Sequence, residues 1–208
     1  MSAGGDPPAT ARGTSSRKRL LGKAVLAAVA VGGGFETLVT ATGSAQAGAA
    51  STTRDDQILN FLLELEQLQA AFFQRAARNT RLAGELRQFA QVVSEQDDAH
   101  ANALRSMLGP GAKPTRLRLG PQPRDDAAFV SRSVALKEGA VAAYIGEAPN
   151  LAAAHITRVA TITSVEARHA AWIRSAARVI PAPRAADHAE APRAVTGALE
   201  RSGIVKHV

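Results

Sequence analysis

Gln96-Asp97-Asp98-Ala99-His100-Ala101 and, further along the chain, Val165-Glu166-Ala167-Arg168-His169-Ala170 each set an acidic side chain three residues before a histidine. On a helix that spacing puts both groups one turn apart on one side. Both pairs fall on apolar stripes. Asp97 and His100 are in helical register with Phe89, Val93, Ala101, Leu104 and Leu108, and Glu166 and His169 with Val159, Ile162, Ala170 and Ile173. One acid-x-x-His pair arises often by chance. Here there are two, each preceded by a lone acid on an earlier apolar stripe. Glu66 precedes Asp97 by 31 positions and Glu138 precedes Glu166 by 28.

Working outward, four long stretches carry helical periodicity. The first runs from Arg54 to Thr80 without Gly or Pro, with Thr53 as its N-cap and Asp55 and Asp56 favourable to the helix dipole. The second spans about Leu82 to Leu108 and is stopped by Gly109-Pro110-Gly111. Residues 109–123 are rich in Gly and Pro and read as a long connection. Asp125 and Asp126 open the third pattern, which closes near Gly146; the fourth starts near Pro149 and is ended by Pro181. A short helical piece follows at Pro192–Arg201. Alternating strand patterns are essentially missing. Two antiparallel hairpins joined by one long crossover define an all-α, ferritin-like four-helix bundle, here over residues 51–181, with a C-terminal tail at 182–208 that carries the short helix.

Each of the four stripes holds ionisable groups. Glu66 shares its stripe with Leu59, Leu62, Leu63, Ala70 and Phe73; Glu138 shares its own with Val134, Val141, Ala142 and Ile145. Glu64 is a rival for Glu66, because it lies with Phe61 and Leu68. An ionised carboxylate in an apolar core costs several kcal/mol unless it is paired. Neither Lys nor Arg reads onto these stripes, so cations are the expected partners. Glu66, Asp97, His100, Glu138, Glu166 and His169 would then hold two metal ions, with His100 and His169 each capping one. One acid on the first helix of each hairpin and an acid-x-x-His pair on the second is the ligand pattern of di-iron and di-manganese carboxylate bundles.

Composition narrows the alternatives. The chain has 208 residues, 46% of them hydrophobic, enough for one domain with a core. It has no Cys, which excludes disulfide frameworks, iron–sulfur clusters and thiol nucleophiles. The net charge of +7 first suggests nucleic acid, but five of the basic residues lie before residue 48, against two acidic ones. Aromatic residues interleaved with basic ones are absent, so a nucleic-acid partner is not expected. Phosphate-binding glycine loops, G-x-S-x-G and H-E-x-x-H are also absent.

Residues 1–50 read as a disordered leader with an export signal. Arg17, Lys18, Arg19 and Lys23 precede the short apolar run Ala24–Val31, and Ala45-Gln46-Ala47 supplies a cleavage pattern. Ser16-Arg17-Lys18-Arg19-Leu20-Leu21 resembles the twin-arginine motif, interrupted by Lys18. The apolar run is shorter than the ~20 residues a membrane span needs. The expectation is an exported protein cut near Ala47, without a stable transmembrane segment in its mature form.

Three segments also carry a family resemblance. Ile58-Leu59-Asn60-Phe61-Leu62-Leu63-Glu64-Leu65-Glu66-Gln67-Leu68-Gln69-Ala70-Ala71-Phe72-Phe73 resembles the opening helix of bacterial ferritin-like proteins related to plant desiccation-related proteins. Glu138-Gly139-Ala140-Val141-Ala142-Ala143-Tyr144-Ile145-Gly146 resembles their third helix, and Glu166-Ala167-Arg168-His169-Ala170-Ala171-Trp172 their fourth. The resemblance implies metal positions at Glu66, His100, Glu138, Glu166 and His169. Asp97 departs from the Glu usual there, and its side chain is one methylene shorter. The functional expectation is a dinuclear iron or manganese site reacting with oxygen or peroxide, an oxidoreductase if active, with metal ions and further copies of the chain as partners. The alternative is a non-catalytic envelope or stress-associated protein with a degenerate site. Among other residues, Tyr144 reads as core packing with a satisfied hydroxyl or as a redox or hydrogen-bonding group near the site, Trp172 as core packing and His155 as a polar group near a helix end.

Overall fold

The computed structural model describes residues 44–79, Leu82, 84–206 and Met1. The basic motif and apolar run of the leader lie outside the described residues. Helix α1 runs Ser44–Ala77, α2 Gly84–Leu108, α3 Asp126–Glu147, α4 Ala153–Ala176 and α5 Pro192–Arg201. α1 packs on α2 and α3 on α4, and the two hairpins meet through α2 with α4 and α1 with α3. Among the described residues, no helix is long and apolar enough to cross a membrane.

The ends follow local chemistry. Asp125 caps α3, its carboxylate accepting from the Ala128 amide at 2.8 Å. Gly109 takes φ +52° just after α2, the left-handed conformation that closes helices at low cost when no Cβ is present. α1 corrects one expectation. It passes through Thr53 without a break, because Ala45, Ala47, Ala49 and Ala50 favour helix. Asp55, expected to favour the start of α1, instead serves α4. It is buried, accepts from the Ala152 amide at 3.1 Å and lies 3.6 Å from His155 Nε2. Pro149 sits in a single 3-10 turn before α4 rather than opening it.

Phe72, Phe73, Phe89 and Phe129 fill the core at one end of the bundle, with Phe73 and Phe89 edge to face at 5.4 Å. Burying each such ring is worth roughly 1.5–3 kcal/mol. Trp172 packs on Phe89 and its indole donates to Glu85 at 2.9 Å.

The crossover is tied down by α1. Asn60 donates to the Gly111 carbonyl at 3.0 Å and accepts from the Lys113 amide at 2.7 Å. Glu64 accepts from the amides of Arg116 and Leu117, the latter at 2.9 Å. This settles the choice between Glu64 and Glu66: Glu64 holds the crossover. Two short strands, β1 (Arg118–Leu119) and β2 (Val205–Lys206), pair antiparallel and join the crossover to the C-terminal end.

The tail covers a second side of α3. Val195 and Leu199 of α5 are buried, and the Glu190 amide donates to the Ala142 carbonyl at 3.0 Å. A Cβ on Gly146 would lie 2.3 Å from the Glu190 carbonyl oxygen, so this crossing requires glycine. α3 is therefore buried on more than one face, with Ala140 to Tyr144 all inaccessible.

Candidate metal centre

Six charged or titratable side chains from all four helices converge at the bundle centre. Glu66 comes from α1, Asp97 and His100 from α2, Lys137 from α3, and Glu166 with His169 behind it from α4. Glu66, Asp97, Lys137 and Glu166 are fully buried, and His100 and His169 nearly so. One ligand atom from each of Glu66, Asp97, His100 and Glu166 can be chosen so that all lie within 4.8 Å of one another. The inward placement of both acid-x-x-His pairs and of Glu66 follows from the apolar stripes they interrupt.

Glu138 is the correction. It is half-buried, points away from the cluster and pairs with Arg174 of α4. Its apolar neighbours Val141 and Ala142 line a cavity closed by Pro181–His188. Val141 and Ile145 of that stripe thus face the tail segment and α4 rather than the bundle axis. The axial face of α3 is Phe129, Ser133, Lys137, Ala140 and Tyr144. A rotation of one residue places Lys137 where the sequence reading placed Glu138. The expectation that no Lys or Arg faces inward is overturned with it.

Lys137 Nζ lies 2.7 and 2.9 Å from the two Asp97 oxygens and 3.2 and 3.0 Å from those of Glu166. It also sits 5.2 Å from the Phe73 ring centroid, a cation–π contact. Tyr144 donates its hydroxyl to Glu66 Oε1 at 2.6 Å. His169 Nδ1 lies 3.2 Å from Glu166 Oε1, and its Nε2 lies 2.6 Å from Gln96 Oε1. Sequence reading passed over Lys137 and Gln96. The signal for Lys137 was available: it stands four residues after Ser133 and seven before Tyr144, in helical register with Phe129.

The other side of the cluster is unsatisfied. His100 Nδ1 lies 3.4 Å from Glu66 Oε2 and 3.4 Å from Glu166 Oε1. These are charge contacts without hydrogen-bond alignment, and both His100 Nδ1 and Glu66 Oε2 are buried atoms lacking a hydrogen-bond partner. Burial works against His100 protonation, but Glu166 and Glu66 outweigh it and push the imidazole up to about 9. Burial and the neighbouring Glu166 raise Glu66. Burial also raises Asp97, against the pull of Lys137. Glu166 goes the other way: against its burial, Lys137 and both histidines hold it well below the usual carboxylate range. Burial lowers His169, leaving it the more readily neutral imidazole.

These donors fit one cation. Ligands 3.4 Å apart match the edge of a coordination shell with bonds of about 2.1 Å, and carboxylate with imidazole suits iron or manganese. They do not fit two. The space between Asp97 and Glu166 is filled by the Lys137 ammonium, and the third-helix carboxylate is turned outward.

A central carboxylate–histidine cluster in a two-hairpin bundle with a long crossover places the chain in a class. It belongs to the ferritin-like domain family, whose model matches residues 54–178. No curated protein matches the chain.

Proposed function

We propose that the protein binds a single divalent transition-metal ion, iron or manganese, at Glu66, Asp97, His100 and Glu166. The observation that carries this reading is a pair of buried atoms without hydrogen bonds, Glu66 Oε2 and His100 Nδ1, in a charge contact at 3.4 Å. Two such atoms facing each other without hydrogen bonds cost free energy that a cation would recover. An iron or manganese ion there would supply one-electron chemistry toward oxygen or peroxide. The chain's own groups have defined tasks around it. Tyr144 fixes one oxygen of Glu66 and leaves the other free. Gln96 orients His169 from behind. The Phe73–Phe89–Phe129 cluster keeps water from one end of the site. We further propose that the leader directs export, with removal near Ala47.

Metal analysis of protein purified without chelators, then repeated after anaerobic soaking with Fe(II) or Mn(II), tests the reading. The expected result is close to one ion per chain, lost in Glu66→Ala and in His100→Ala. A second reading has its own support: Lys137 and a protonated His100 can balance the buried acids without metal, as expected of a structural, stress-associated protein. Wild-type protein that stays metal-free after soaking selects that reading.

A further inference from the structure

The cluster holds a cation of its own. We infer that the Lys137 ammonium is a covalently tethered replacement for the second metal ion, which limits the centre to one exchangeable ion. This deepens the single-ion reading above, and the test separates the two.

Three observations converge. The first is position: Nζ touches all four oxygens of Asp97 and Glu166, at 2.7–3.2 Å. A bridging cation between those carboxylates would need the same space. The second is the fate of Glu138, whose pairing with Arg174 removes the third-helix carboxylate from the centre. The same one-residue rotation that brings an ammonium in takes a carboxylate out.

The third is charge. Three carboxylates face the centre: Glu66, Asp97 and Glu166. One divalent ion plus Lys137 balances them with both histidines neutral. Two divalent ions plus Lys137 would leave an excess of two positive charges in a water-poor interior, where uncompensated charge is strongly disfavoured. Unlike a metal ion, the ammonium cannot dissociate. Asp97 and Glu166 therefore stay gathered whether or not the exchangeable ion is present.

The experiment is an Mn(II) titration followed by the free-ion electron paramagnetic resonance signal, on wild type, Lys137→Glu and Lys137→Met, with thermal unfolding of each. Wild type should bind no more than one Mn(II). Lys137→Glu, which restores a third-helix carboxylate, should bind two, and its unfolding midpoint should rise by about 5 °C or more on saturation. Lys137→Met should lose thermal stability and regain it with Mn(II), the free ion taking the ammonium's place. Two Mn(II) bound by wild type overturns the inference, as does an unchanged count in both variants. If wild type binds none while Lys137→Glu gains ions, the single-ion function falls and the tethered-cation role stands. Should Lys137→Glu fail to fold without metal, refolding it with and without Mn(II) decides: rescue supports the inference, and failure in both, with Lys137→Met unresponsive, overturns it.

Discussion

Raising the pH should weaken the metal-free protein through one histidine. His100 is held at about 9 in the folded chain, against about 6.5 for a free imidazole. A raised folded value means that protonation favours the fold. The contribution is fully present below about pH 6.5 and is lost as the pH climbs through 9. That difference corresponds to about 3 kcal/mol, a sizeable share of the roughly 5–15 kcal/mol that holds a typical domain. His100 is only 9% exposed, so solvent screening takes away little of this. Glu66 and Asp97 are also raised, and their ionisation costs the fold with the same sign, so the variant comparison is essential.

The assay is urea unfolding in the presence of chelator from pH 6 to pH 10, on wild type and His100→Gln. Wild type should lose about 3 kcal/mol more than the variant across that range. Parallel curves for the two proteins would falsify the assignment of His100 as the imidazolium that Glu166 and Glu66 hold.

Three further outcomes follow from the same contacts. Glu138→Gln should leave metal content unchanged and cost no more than about 1 kcal/mol, because its partner Arg174 lies at a half-exposed surface; metal analysis and urea unfolding check it. Gly146→Ala would drive a Cβ to 2.3 Å from the Glu190 carbonyl, lifting the tail from α3 at a cost of about 1–3 kcal/mol, read as faster proteolysis between residues 181 and 190. Tyr144→Phe leaves Glu66 Oε1 without its 2.6 Å donor, and metal-free protein should lose about 1–3 kcal/mol in urea unfolding.

The architecture was legible because its signals were strong and local. Gly109 and Asp125 mark helix ends, and the long Gly- and Pro-free runs mark helix bodies. The acid-x-x-His pairs were legible because α2 and α4 each have one broad buried stripe and an exposed back. α3 was not legible in the same way. The tail segment and α5 bury a second face, so Val141 and Ile145 are apolar for a reason unrelated to the bundle axis. A periodicity count sees two equivalent faces and cannot choose between Glu138 and Lys137. The pull of Arg174 on Glu138 is a contact between different helices and leaves no local trace. The extension of α1 before Thr53 was missed for a related reason, since a good capping residue outweighed the alanines that precede it.

The proton count at the centre offers the most direct view of how ammonium, imidazole and metal share one task. At neutral pH and without metal, Glu166 is ionised, Lys137 and His100 are charged, and Glu66 and Asp97 are both pushed upward. The pocket is neutral when one of those two carboxyls keeps its proton. With a divalent ion bound, all three carboxylates ionise, His100 becomes a neutral ligand and Lys137 keeps its charge, and the pocket is neutral again. Binding should therefore release the His100 proton near pH 7, together with any proton that Glu66 or Asp97 has kept. Mn(II) affinity should then rise by at least about tenfold per pH unit above neutrality, flattening as His100 deprotonates near 9. Release measured in weakly buffered solution with a pH-stat checks the count. A release of more than three would mean that Lys137 gives up its proton to make room. No release would mean that Mn(II) does not displace the His100 proton, and that His100 is not its ligand.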